Sequence, residues 1–163
     1  LQRRRQRQMC IRDSILPPDK VRGFSNNKSM IRADFIYDDL ESAKESFRLI
    51  PPQPCNNDYL LNHIAHHSFK EGKGGWVLKS DGKMMKTYKS KDLTDVLMSA
   101  PCPINIVYGL MSQIFTKEIL DYTLYVGNIP EKRVIGIPGT MHHLFVDDPL
   151  SVIDALRKLI GEN

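Results

Sequence analysis

The chain has 163 residues, 41% hydrophobic and 26% charged, a length and balance that suit one globular domain and exclude a fibrous or low-complexity chain. It holds no apolar run of the ~18 residues that a membrane span needs, and its Arg-rich opening lacks the apolar core of a secretory signal. Cys10, Cys55 and Cys102 are odd in number and without metal-type spacing, which argues against a disulfide framework or zinc site and leaves a cytoplasmic protein with no membrane partner as the expectation.

The net charge of +4 sits in the first segment, LQRRRQRQMCIRDS, where five arginines stand against Asp13; the remainder holds 18 basic and 18 acidic residues. Five clustered cations could release counterions from a nucleic acid. The string QRQMCIRDS, however, resembles a translated sequencing-adaptor peptide that becomes fused to gene fragments. On that resemblance residues 1–14 are expected to be non-native, and with them goes the reason to expect a nucleic-acid partner.

Residues 15–100 are expected to form a mostly helical region. ILPPDKVRGFSNNKS is rich in turn residues and reads as an extended loop. In DDLESAKESFRLIPP, Asp38 and Glu41 have capping-box spacing, Leu40, Ala43 and Phe47 share a face, and Pro51 and Pro52 are expected to stop the helix. A second helix is predicted over about residues 57–69, with Leu60, Ile64 and Ser68 on one stripe and His63, His66 and His67 nearby. GGWVLKSDGKMMKTY places Asp81-Gly82 between two short segments, a hairpin signal. A short helix is expected from Ser90 to Ser99.

Residues 101–163 read as strand, helix, strand, helix. Ile104, Ile106 and Val107 make CPINIVYG apolar enough for burial on both faces. A helix from Thr116 to about Val126 carries Ile119, Leu120 and Thr123 on one face, and a strand follows from Arg133 to Ile137. Asp148 and Pro149 have N-cap and first-turn chemistry for a last helix, in which Val152, Ile153, Leu156, Leu159 and Ile160 recur at helical spacing. The natural arrangement is two parallel strands joined by a right-handed crossover.

GTMHHL therefore leaves the carboxyl end of a parallel strand, where ligands and reactive side chains gather in open α/β sheets. Two readings are open for a histidine there. It can move protons near neutral pH, or it can be a loop residue bonded to the backbone.

The segments CPINIVYGLMSQIFTKEILDY and VIGIPGTMHHLFVDDPLSVIDAL resemble the last two strand-helix units of the α/β-hydrolase superfamily, in which the final strand is followed by a Gly-x-x-His loop and an acidic-Pro helix start. FRLIPPQP, YLLNHIAHHS and GGWVLKSDG resemble the helical lid of an esterase-like and epoxide-hydrolase-like branch. The resemblance implies an α/β fold comprising a lid over residues 15–100 and the carboxyl-terminal βαβα part of the core over 101–163. It implies His142 as the catalytic base, His143 as its packed neighbour, and a small apolar ester or related bond as substrate. Met141 departs from the glycine that many members carry there.

Two parts of that machinery are missing. The sequence contains no Gly-x-Ser-x-Gly elbow, the strained turn that presents a serine nucleophile. The family's usual acid position, after the strand ending at Gly109, is occupied by Leu110, Met111 and Ser112, and a serine cannot act as that acid. The acid of some members comes from the strand before the lid, a place corresponding to the junction near Asp13, which falls within the adaptor-like segment. The expectation is a fragment that lacks its nucleophile and is inactive alone.

Other residues have a bland and a functional reading. His63, His66 and His67 could ligand zinc, but a solvated cluster is the expectation and no metal or cofactor is predicted. Trp76 and Met111 are candidate pocket residues with His143, although a lone tryptophan beside a turn is more often a packing anchor. Met84, Met85 and Met98 have the same ambiguity, and lysines between 70 and 91 read as a solvated face. The leading expectation is a hydrolase acting on a small-molecule substrate, oligomeric state open. The alternative is a non-catalytic α/β binding module in which His142 is structural.

Overall fold

A computed structural model describes residues 35–80 and 92–161. Residues 1–14 with Asp13 and Cys10, the 15–29 loop, the Asp81-Gly82 turn, Met84 and Met85 lie outside the described residues.

The carboxyl-terminal unit is built on two parallel strands, β4 (Ile106–Gly109) and β5 (Val134–Ile137), in register from Ile106 opposite Val134 to Gly109 opposite Ile137. Parallel neighbours need a crossover, and it is supplied by α4 (Lys117–Gly127). Thr116 caps that helix by accepting the Ile119 N–H, and Asn128 ends it in the left-handed conformation at φ 48°. Ile119, Leu120 and Thr123 are buried, the face expected from their spacing. A single 3-10 turn, Glu131–Arg133, leads into β5.

Beyond β5 come a short α5 (Leu144–Asp147), which the periodicity does not signal, and α6 (Pro149–Gly161). Asp148 caps α6 as expected: its carboxylate accepts the Ser151 N–H at 3.0 Å and the Ser151 hydroxyl at 2.6 Å. Ile137, Leu144, Val152 and Ala155 form the core, with Val107 and Ile135 packed against it.

The apolar stripe of α6 is only half used. Val152, Ala155 and Leu159 are buried, whereas Ile153, Leu156 and Ile160 are 44%, 40% and 47% exposed. Two strands about 4.8 Å apart are narrower than a stripe of this breadth. The same narrowness corrects the expected two-faced burial of β4, since Ile104, Ile106 and Val107 are each half-buried.

The region before residue 80 is not helical alone. Among the described residues two helices, α1 (Leu40–Ser46) and α2 (Asp58–Ser68), flank a three-stranded antiparallel sheet of order β1-β3-β2, made of β1 (Ile36–Tyr37), β2 (Phe69–Gly72) and β3 (Gly75–Leu78). The cap of α1 is Asp39, which accepts the Ser42 N–H at 2.7 Å, in place of the expected Asp38 and Glu41 pair. Asp39 has the extended backbone that an N-cap requires, at φ −143° and ψ 167°. The helix also ends before the prolines, because Phe47 leaves helical geometry and its ring packs edge-on against Phe69.

In α2, Asn57 caps by accepting the Leu60 N–H, and Ala65 is the buried residue while Leu60, Ile64 and Ser68 are half-buried. The hairpin expected around Asp81-Gly82 has a described counterpart upstream. Gly72 pairs with Gly75, and the turn is Lys73-Gly74, so GWVL is the second strand of a hairpin with FKEG. Gly74 at φ 88° and Gly75 at φ 142° supply the positive φ that this turn demands. FKEG escapes pattern reading because Phe69 is its one buried residue. Phe69 meets Tyr37 and Phe47 edge-on, and Ala43, Leu49 and Ala65 are also buried.

The last predicted helix of this region is α3 (Thr94–Met98), with Leu97 buried and Thr94 hydrogen-bonded to the Tyr122 hydroxyl of α4 at 2.6 Å. No helix among the described residues is long and apolar enough to cross a membrane.

Candidate active site at the carboxyl ends of the parallel strands

The loops that leave β4 and β5 run side by side. Leu110 donates its N–H to the Ile137 carbonyl at 3.1 Å, and Met111 donates to the Thr140 carbonyl at 2.9 Å. Thr140 is 1% exposed and folds its hydroxyl back onto the Ile137 carbonyl at 2.9 Å. Gly109 permits the approach: a β-carbon there would run into the backbone oxygens of Met141 and Thr140.

This pairing brings Ser112 and His142 together. The Ser112 hydroxyl stands 3.4 Å from Nδ1 of His142, a long contact, and accepts the Phe115 N–H at 3.0 Å. His142 is half-buried. His143 is buried, its ring centroid 5.3 Å from that of His142 with the planes nearly perpendicular.

A second set of hydrogen bonds brackets His142. Met141 N–H donates to Asp147 Oδ2 at 2.7 Å, and His143 N–H donates to Gln53 Oε1 at 2.8 Å. Gln53 Nε2 closes the circuit by donating to both Asp147 oxygens at 3.0 and 3.1 Å. Sequence reading missed both side chains. Asp147 was overshadowed by the helix-start signal of Asp148-Pro149, and Gln53, which lies 90 positions from His143, carries no local signal at all.

Of the pocket residues expected from the sequence, His143 and Met111 lie in these loops, Met111 with its side chain largely exposed. Trp76 does not: it sits in β3, opposite Tyr37 and Glu71 in the antiparallel sheet. A cleft of about 290 Å³ lies elsewhere, lined by Leu97, Met98, Cys102, Ile129, Pro130 and Arg133. These residues border the amino ends of β4 and β5, whereas the crevice that serves chemistry in open α/β sheets lies beyond the carboxyl ends.

The histidines of α2 meet edge to face, with ring centroids 4.6 Å apart for His63 and His67 and 4.9 Å for His66 and His67. His67 is held below its usual pKa by desolvation, then by the charges of His63, His66 and Lys79. Among the described residues no group of three His, Cys, Asp or Glu side chains is arranged to hold a metal ion.

No protein-family model matches the chain, and no curated protein does. Its fold is similar to that of solved structures. An E-2-(acetamidomethylene)succinate hydrolase, 16% identical, superimposes with a TM-score of 0.73 over 91% of this chain and 55% of its own. A hypothetical protein from Pseudomonas aeruginosa PAO1, 18% identical, gives 0.58 over 92% and 55%, and a thioesterase domain from the curacin biosynthetic pathway, 20% identical, gives 0.53 over 77% and 43%. The chain thus spans about half the length of the structures it matches. Its architecture, a parallel strand pair with flanking helices, is part of an α/β-hydrolase fold.

Proposed function

We propose that this polypeptide is the lid and carboxyl-terminal part of an α/β-fold hydrolase in which His142 is the catalytic base, acting on a small apolar ester or related bond. The observation that carries the reading is the position of His142. It leaves the carboxyl end of β5 in a loop hydrogen-bonded to the loop after β4, with Nδ1 facing Ser112. Proton transfer then falls to Nε2.

The chemistry follows from an imidazole in that place. As the nucleophile attacks, Nε2 takes its proton; the imidazolium then returns that proton to the departing alcohol as the acyl–oxygen bond breaks. Water attacks the acyl intermediate with the same base accepting its proton; the imidazolium returns that proton to the nucleophile as the bond between it and the acyl group breaks, and the acid product leaves. If the nucleophile is an aspartate, the covalent intermediate is an alkyl ester and only the water step needs the base. The sequence contains no Gly-x-Ser-x-Gly turn, the motif of a serine nucleophile, and on this reading the nucleophile comes from residues outside this sequence. The likeness to an E-2-(acetamidomethylene)succinate hydrolase and a thioesterase domain supports hydrolysis of an acyl bond as the first class to assay.

A second reading is favoured by one observation. Among the described residues the side chain at Nδ1 of His142 is the Ser112 hydroxyl, whereas a catalytic imidazole is stabilised as its cation by a carboxylate there. On that reading the unit binds a small molecule without turning it over. The deciding test is hydrolysis of short-chain p-nitrophenyl esters by this chain alone and by the chain extended with the coding sequence that precedes Ile15. Turnover in the extended form alone supports the hydrolase. An extended form with neither an elbow nor turnover supports the binding module.

A further inference from the structure

We infer that Gln53 is a positioning residue for His142, holding the loop on both sides of that histidine from the antiparallel part of the molecule. The inference rests on the reading of His142 as the base and adds the device that keeps it in place.

The two backbone N–H groups that flank His142 are those of Met141 and His143, and both end in one circuit. Met141 N–H donates to Asp147, Asp147 accepts from Gln53 Nε2, and Gln53 Oε1 accepts from His143 N–H. A primary carboxamide has an acceptor end and a donor end. Here an N–H must meet the acceptor and a carboxylate must meet the donor, so the chemistry on each side fixes the orientation of the amide. Rotating it would set NH₂ against N–H and C=O against a carboxylate.

Asparagine carries the same carboxamide on a side chain one methylene shorter, and the other common replacements fail one demand or both. Glutamate would face Asp147 with like charge. Lysine or arginine could pair with Asp147 but offers no acceptor to the His143 N–H, and leucine would leave both partners unsatisfied at a part-buried site.

The segment that carries Gln53 is prepared for this task. Pro52 precedes it and Pro54 follows it; proline fixes its own φ and confines the residue before it to extended backbone. Leu49, buried, anchors the segment from the side of α1. Little backbone freedom is left to lose when the side chain is held. The consequence is mechanical: a displacement of residues 51–54 breaks the bond to the His143 N–H together with those to the Asp147 carboxylate that holds the Met141 N–H, so the position of the antiparallel part and that of the imidazole are coupled.

The circuit also has a mirror form. With Gln53→Glu and Asp147→Asn combined, Glu accepts the His143 N–H and a proton of the Asn carboxamide, while the Asn oxygen accepts the Met141 N–H. Net charge equals that of the wild type. Either single change leaves two donors or two carboxylates face to face.

The experiment is NMR on the full chain in four forms: wild type, each single variant and the double variant. Amide exchange is followed at Met141 and His143, with Val107 and Ile135 of the parallel pair as internal references, together with the titration of the His142 ring. Each single variant is expected to speed exchange at Met141 and His143 by about tenfold or more with the references unchanged, and to shift the His142 titration. The double variant is expected to restore both. A purely structural role would move the references and not the His142 ring alone. Wild-type amides at 141 and 143 that exchange at the open-chain rate, single variants without effect, or a double variant no better than its parents would each overturn the inference. Failure of the hydrolase reading shows separately, as undiminished turnover of His142→Ala in the extended protein, and leaves these exchange rates untouched.

Discussion

Gly109 and Met141 approach so closely that the space a β-carbon would need on residue 109 is already filled by the Met141 carbonyl. The end of β4 and the loop after β5 can meet there because one of them has no side chain. That single contact sets Ser112 and His142 within reach of each other.

Gly109→Ala is therefore expected to force the two loops apart. The obstacle is backbone, which cannot swing aside as a side-chain end does, so a loss of about 1–3 kcal/mol is expected, the range for overpacking. Urea unfolding measures it. An unchanged midpoint would show that the loops are not in contact.

The two sides of α6 should respond unequally to truncation. Leu159 is buried and Leu156 is 40% exposed. Leu159→Ala is expected to cost about 2–4 kcal/mol and Leu156→Ala about 1 kcal/mol or less. Equal losses in the isolated chain would mean that both faces of the helix are covered.

The cap of α6 sets a pH dependence. Bonds from the Ser151 hydroxyl and N–H favour the ionised Asp148 and hold its carboxyl below the usual range. Because the unfolded chain binds that proton more readily, the stabilisation is complete above the ordinary carboxylate pKa of about 3.9 and is lost as pH falls through the lower folded value. Asparagine is an equal cap and does not titrate. Asp148→Asn should match the wild type near neutrality and lose stability less steeply below about pH 4, as read from melting temperatures across that range.

If the extended protein turns over p-nitrophenyl esters, His142→Ala is expected to lower kcat by about 10⁴-fold or more. His143→Ala should act differently. That ring is buried at the head of α5, so its loss should appear mainly in the unfolding midpoint. Comparable losses of kcat for both variants would put the base assignment in doubt.

Much of the carboxyl-terminal unit was legible in the chain. The start of α4 at Thr116, Ile119, Leu120 and Thr123 turned inward, and Asp148 capping α6 are all local events, settled between residues a few positions apart. Where local signals were balanced, packing chose among them. Asp38 and Asp39 offer nearly the same cap, and the extended backbone after β1 selects Asp39. The Lys73-Gly74 turn lets GWVL pair on both sides, with β1 and with β2.

The amino-acid sequence by itself determined the order of strand and helix after residue 101 and put His142 beyond the carboxyl end of β5, because periodicity and capping act over a turn or two of chain. Tertiary structure alone decided that Ser112 faces Nδ1, that Trp76 belongs to a different sheet, and that Gln53 reaches across 90 positions to brace the loop. Hydrogen bonds between such distant residues leave no period and no spacing in a single chain; they exist only once two separately formed surfaces have met.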